Sequence, residues 1–174
     1  MKNILLIGCG HMGGSLMSGW SNSKNYTISV IDKKKYAILK KRNRNKKIKF
    51  FKSIDDINNQ NNFDYIIFAT RPLELTNVFK ELKNANFNKK SIAISVIAGK
   101  KTEIFKNNLL NINKIVRVMP NMPALIGEGV HCIYTNKSIN KKQITEIDKL
   151  FSLSGKTLFF NSETFIDKAT AVSG

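Results

Sequence analysis

Residues 3–13 limit the possible folds more than any other stretch of this chain. Asn3-Ile4-Leu5-Leu6-Ile7-Gly8 is a short apolar run without polar alternation, the pattern of a strand covered on both faces, as in a parallel sheet. It passes directly into Gly8-Cys9-Gly10-His11-Met12-Gly13, after which Met12, Leu16 and Trp20 recur at helical spacing. A strand that ends in closely spaced glycines and opens a helix gathers free backbone N–H groups and the positive end of a helix dipole at one point. In that setting Gly8 serves the tight turn, Gly10 lets the backbone approach a diphosphate, and Gly13 lets helix and strand pack closely. The pattern is that of a dinucleotide-binding loop, in which Cys9, His11 and Met12 fill the variable positions.

The alternation of strand and helix continues along the chain. Further strands are expected at residues 27–31, 48–51, 64–69, 91–96, 114–119, 129–135 and 156–160. Pro72 stands where a helix can begin, ahead of the stripe Leu75, Val78, Phe79 and Leu82. Thr102 is placed to cap a helix carrying Ile104 and Phe105. Asn140 and Gln143 form a capping box before Ile144, Ile147 and Phe151, and a last helix starts near Thr164. Strands alternating with helices imply parallel pairing and right-handed crossovers. The expected fold is a doubly wound, mostly parallel α/β sheet of the Rossmann type over residues 1–162, followed by that last helix in residues 163–174.

Asp32 ends the second strand, where a carboxylate accepts hydrogen bonds from the ribose hydroxyls of NAD and repels the 2′-phosphate of NADP. Lys33, Lys34 and Lys35 follow at once and are suited to that phosphate instead. The cofactor is therefore expected to be NADH or NADPH, with Asp32 tilting the balance slightly to NADH. Cys9 is read as a small loop residue and His131, inside an apolar strand, as structural. Two cysteines and two histidines make neither a disulfide framework nor a zinc spacing.

The 29 basic residues against 12 acidic ones give a formal charge of +17, which raises the question of a nucleic-acid partner. Only four of the basic residues are arginine, whereas lysine and asparagine are over-used together. Readers of nucleic acid favour the arginine fork, and the densest basic run, residues 33–49, offers Tyr36 as its sole aromatic before Ile48. No specific nucleic-acid partner is expected, and no apolar run approaches the length needed to span a bilayer. The chain reads as a protein of a reducing compartment, the cytoplasm.

Three later segments leave strand ends in a distinctive way: Ala69-Thr70-Arg71-Pro72, Ser95-Val96-Ile97-Ala98-Gly99, and the stiff stretch Arg117-Val118-Met119-Pro120-Asn121-Met122-Pro123-Ala124-Leu125-Ile126-Gly127-Glu128-Gly129. Loops held by proline and glycine present backbone groups to a flat ring with little entropy left to lose. With the glycine loop, and with the ending Asp167-Lys168-Ala169-Thr170-Ala171-Val172-Ser173-Gly174, these segments give a sequence that resembles pyrroline-5-carboxylate reductase from end to end.

The resemblance implies the reduction of 1-pyrroline-5-carboxylate to L-proline, the last step of proline synthesis. It implies that Gly8 to Gly13 hold the pyrophosphate, that Ala69, Thr70, Arg71 and Pro72 flank the nucleotide, and that Ala98, Met119, Pro120 and Asn121 lie near the nicotinamide. Two departures stand out. Arg71 replaces a more usual lysine, and Asp56 stands where the family tends to have asparagine near the adenosine, so that Asp32 and Asp56 together argue against a 2′-phosphate. The family also continues into an all-helical domain that forms a homodimer and completes the substrate pocket. This chain is accordingly expected to be a shortened or proteolysed form that binds cofactor but turns substrate over poorly, with the proton donor in the part beyond it. A hydroxyacid or 6-phosphogluconate-type dehydrogenase and a non-enzymatic NAD(P)- or nucleic-acid-binding module remain as alternatives.

Overall fold

The computed structural model describes residues 1–43, 45–121, 123–124 and 127–173. Arg44, three residues of the proline-rich stretch (Met122, Leu125 and Ile126) and the final Gly174 lie outside the described residues. Eight strands form one sheet: β1 (Lys2–Ile7), β2 (Tyr26–Ile31), β3 (Ile48–Phe51), β4 (Tyr65–Phe68), β5 (Ile92–Ser95), β6 (Lys114–Pro120), β7 (Gly129–Thr135) and β8 (Gly155–Phe160). Among the described residues six α-helices accompany them: α1 (His11–Ser21), α2 (Tyr36–Arg42), α3 (Leu75–Glu81), α4 (Thr102–Asn108), α5 (Lys141–Phe151) and α6 (Glu163–Ser173).

The strand order is β3-β2-β1-β4-β5-β6-β7-β8, so the chain reverses direction across the sheet between β1 and β4. Ligands of doubly wound sheets bind at the carboxyl ends of the strands beside such a reversal. Because the central strands are covered on both sides, their side chains divide into two cores. Ile4, Leu6, Val30, Ile67 and Ile94 join Leu16 and Trp20 of α1 and Ile147, Leu150 and Phe151 of α5. Leu5, Ile7, Ile66, Phe68 and Ala93 join Leu75 and Phe79 of α3 and Phe105 of α4. Trp20 is fully buried, donates its indole N–H to the Leu150 carbonyl at 3.0 Å and meets Phe151 edge-on, which ties α1 to α5.

The expected doubly wound, mostly parallel sheet is what the chain forms, with one pairing of opposite sense. β7 runs antiparallel to β6, with Pro120 opposite His131. The connection 121–128 is eight residues long, shorter than the dozen or more that a parallel return needs. Two helix starts also differ from expectation. α3 begins at Leu75, three residues after Pro72, because Arg71 to Glu74 close a turn of their own through Glu74 N–H to the Arg71 carbonyl at 3.0 Å. Lys101, not Thr102, occupies the cap of α4. The Thr102 hydroxyl and amide are instead given to Glu163, at 3.2 and 2.7 Å. The capping box of Asn140 and Gln143 is present as expected.

α6 is held on the sheet by charge as well as by the buried Ile166. Arg117 on β6 is 1% exposed, and its guanidinium lies 2.8 Å from Asp167 and 3.5 Å from Glu163. A guanidinium this deeply buried needs such partners, because an unpaired buried charge is costly.

Candidate dinucleotide site

The glycine loop joins β1 to α1, next to the reversal of strand order. Gly8 has φ +92°, and its N–H donates to the Ile31 carbonyl of β2 at 2.8 Å. A side chain there would be strained, and its Cβ would stand 2.8 Å from the Ala69 carbonyl oxygen. A Cβ on Gly13 would overlap the Gly8 carbonyl oxygen. These two positions need glycine for the fold itself.

Gly10 is different. It caps α1 with φ −71°, a value open to any residue, and a Cβ built on it meets nothing within 4 Å. Neither backbone conformation nor packing accounts for glycine here. What a side chain would fill is the open space over the start of α1, a helix with no side-chain cap and no acidic residue in its first turn. The first amides of α1 and the dipole end are thus left without a protein anion, which is the arrangement a diphosphate requires.

Asp32 holds this loop from below. Its Oδ2 accepts from the Cys9 N–H at 2.8 Å and its Oδ1 from the Lys35 N–H at 2.9 Å, while Lys35 Nζ donates to the Cys9 carbonyl at 3.1 Å. A carboxylate offers about four lone-pair sites, so Asp32 retains capacity toward a ribose while bracing the turn. Burial, then the nearby Asp32 carboxylate, pushes the Cys9 thiol above its ordinary range, with Lys35 opposing. Cys9 is therefore a neutral, buried loop residue and no activated nucleophile.

The other expected site residues fall at the same carboxyl edge. Ala69 and Thr70 follow β4, half-buried, and lead to exposed Arg71 and Pro72. The Thr70 hydroxyl oxygen is buried and has no hydrogen-bond partner among the described residues. Ala98 is exposed beyond β5, and Met119 and Pro120 end β6. The side-chain Oδ1 of Asn121 accepts from the Val130 N–H at 2.8 Å, pinning Asn121 to β7. Asp56 lies just past β3, where its carboxylate accepts from the Lys52 and Ser53 amides at 3.1 and 2.9 Å and closes a capping box on a single 3-10 turn. His131 is fully buried, within 3.0 Å of the Ser154 hydroxyl and beside Phe151. Burial holds its pKa below the usual histidine value, which suits the structural role expected of it.

Sequence reasoning overlooked Glu74. It stands at the start of α3, and its Oε1 accepts from Lys34 Nζ at 2.6 Å. An acid at a helix start is an ordinary feature, so nothing in the sequence sets it apart.

Residues 3–99 match the family described as "NADP oxidoreductase coenzyme F420-dependent". The chain belongs to this family. Among curated relatives, the pyrroline-5-carboxylate reductase of Haemophilus influenzae is 30% identical over 179 residues, covering 99% of this chain and 63% of the relative. That of Aquifex aeolicus is 33% identical over 113 residues, 65% of this chain and 41% of the relative. The solved pyrroline carboxylate reductase of Plasmodium falciparum, with NADP bound, superimposes with a TM-score of 0.79 at 24% identity, over 99% of this chain and 62% of that one. The Coxiella burnetii reductase gives 0.81 at 24% identity, over 99% and 64%. These two likenesses bear out the fold, and the relatives bear out the resemblance read from the strand-end loops. The chain spans less than two thirds of the length of the first curated relatives it matches. Among the described residues no helix is long and apolar enough to cross a membrane.

Proposed function

We propose that this chain is the dinucleotide-binding part of a cytoplasmic reductase that converts 1-pyrroline-5-carboxylate to L-proline. Cofactor binding rests above all on Gly10, whose lack of a side chain serves neither backbone nor packing and leaves a helix start open to an anion. The substrate is supported by the similarity to a pyrroline-5-carboxylate reductase along 99% of the chain.

In this reading the backbone of Gly8, Cys9, Gly10, His11, Met12 and Gly13 grips the pyrophosphate. Asp32 braces that loop and reaches the adenosine ribose, with Lys33 and Asp56 beside it. Ala69, Thr70, Arg71 and Pro72 form the opposite wall of the adenosine groove, where the partnerless Thr70 hydroxyl gains a hydrogen bond. Ala98, Met119, Pro120 and Asn121 lie near the nicotinamide, and Asn121, whose side-chain oxygen accepts from the Val130 N–H, also keeps that wall rigid. When bound, NADPH or NADH supplies a hydride from C4 of its nicotinamide to the C5=N carbon of the pyrroline ring. Imine reduction also needs a proton at nitrogen. The nicotinamide-side residues named above include no acid to give it, so the donor is assigned to the part of the longer relatives that this chain does not match. Residues 1–162 then form the cofactor domain and residues 163–174 the way out of it, toward a domain that pairs two copies.

The test is a reductase assay on the longest natural form of the protein. Consumption of NADPH or NADH matched by proline formation supports the reading. Oxidation of a 2-hydroxy or 3-hydroxy acid, with no reaction on 1-pyrroline-5-carboxylate, overturns it in favour of a hydroxyacid dehydrogenase.

A further inference from the structure

Two lysines of the turn between β2 and α2 reach across to α3. Lys34 Nζ meets Glu74 Oε1 at 2.6 Å, and Lys33 Nζ lies 3.9 Å from Glu81 Oε1. The two anchor segments are the turn after β2 and the loop after β4, the strands on either side of β1. A dinucleotide whose diphosphate sits at the end of β1 lays its adenosine toward β2, against these same segments. The rung from Lys34 to Glu74 therefore borders the place where a 2′-phosphate would lie.

The neighbouring lysine is already engaged. Lys35 donates to the Cys9 carbonyl, and its backbone amide is held by Asp32. Of the three consecutive lysines, Lys33 and Lys34 are the two whose ammonium groups project from the turn, and each faces an acid of α3. Lys34 has the close partner. Both ends of its rung are solvent-exposed, with side-chain exposures of 79% and 39%, so packing does not hold the pair together and an exchange of partners leaves no buried charge behind. Hydrogen bonding from Lys34 is the main cause that keeps the Glu74 carboxyl below its usual range, so it remains an anion near neutral pH.

We infer that Glu74 tunes the preference between NADPH and NADH by competing with the 2′-phosphate for Lys34. The inference rests on the reading that this chain binds a nicotinamide dinucleotide, and goes beyond it by naming the side chain that sets the discrimination. NADPH takes Lys34 from Glu74, because a phosphate monoester carries up to twice the charge of a carboxylate and three acceptor oxygens. NADH has no group to make that exchange and leaves the rung in place. Glu74 lowers the advantage of NADPH without touching either nucleotide's diphosphate.

The experiment is calorimetric titration of the chain with NADPH and with NADH, in the wild type, Glu74→Gln, Lys34→Gln and the double variant. Glu74→Gln is expected to tighten NADPH about two- to fivefold, the scale of an exposed ion pair, and to leave NADH unchanged. Lys34→Gln weakens NADPH and not NADH, and in its presence Glu74→Gln has no further effect. Raising the salt concentration shrinks both effects. The inference is overturned if Glu74→Gln shifts both nucleotides by the same factor or shifts neither. If the wild type binds neither nucleotide, the cofactor reading beneath it falls as well, an outcome distinct from binding without discrimination.

Discussion

Replacing Gly10 and Gly13 by alanine, one at a time, separates a glycine kept for a ligand from a glycine kept for the fold. At Gly10 the backbone has φ −71° and the added methyl meets nothing within 4 Å. The cost to stability is then only the poorer capping of alanine, about 0.5 kcal/mol. A phosphate oxygen held about 2.9 Å from the amides of α1 would collide with that methyl. Moving back, it would lose one charge-assisted hydrogen bond or more, about 1.5–3 kcal/mol, a roughly ten- to hundredfold weaker affinity. At Gly13 the methyl would overlap the Gly8 carbonyl oxygen and lie 3.2 Å from the Ala69 side chain. α1 must shift away from β1, at about 1–3 kcal/mol, and affinity falls along with stability. Urea unfolding gives the stabilities, and fluorescence titration with NADPH gives the affinities. If Gly10→Ala binds NADPH like the wild type, or loses as much stability as Gly13→Ala, the assignment of Gly10 to a diphosphate is refuted.

Three further outcomes are expected. Arg117→Met leaves Glu163 and Asp167 without their buried cation and should cost about 3 kcal/mol, near the lower end for a broken buried pair because the two acids are partly exposed; urea unfolding measures it, and faster amide exchange in α6 locates it. Trp20→Phe orphans the Leu150 carbonyl and should cost about 1–3 kcal/mol, read by the urea midpoint followed through circular dichroism, since Trp20 is the sole tryptophan. His131 titrates below its ordinary value of 6.5 in the fold because it is buried, so the unfolded chain takes up that proton first. Its contribution to stability is complete above pH ~6.5 and is lost as the pH falls toward its folded pKa; the stability difference between the wild type and His131→Gln should shrink over that interval, and a difference that stays constant with pH would contradict the assignment.

Much of the fold was legible because the signals were local. The unbroken apolar runs of β1 and β4, the glycines at the first strand end and the Asn140–Gln143 box each carry their meaning within a few residues. The sense of β7 was less legible. It depends on how the chain returns between β6 and β7, and short apolar strands look alike in either direction. Thr102 shows the same limit, since its side chain is drawn away from its own helix by Glu163, 61 residues later. In the site, the glycines marked the tight strand-to-helix turn after β1, yet Asp32 could not be recognised as a brace for that loop. Its partners are backbone amides of Cys9 and Lys35, and backbone amides leave no mark on sequence. Glu74 escaped notice for a related reason, because its partner Lys34 lies 40 residues earlier and meets it only through the sheet.

The most direct measurement is calorimetric titration of the folded, unmodified chain with each reduced pyridine nucleotide. The account predicts saturable heat at one nucleotide per chain with NADPH, NADH or both. Properly folded protein that gives no saturable heat with either would contradict it.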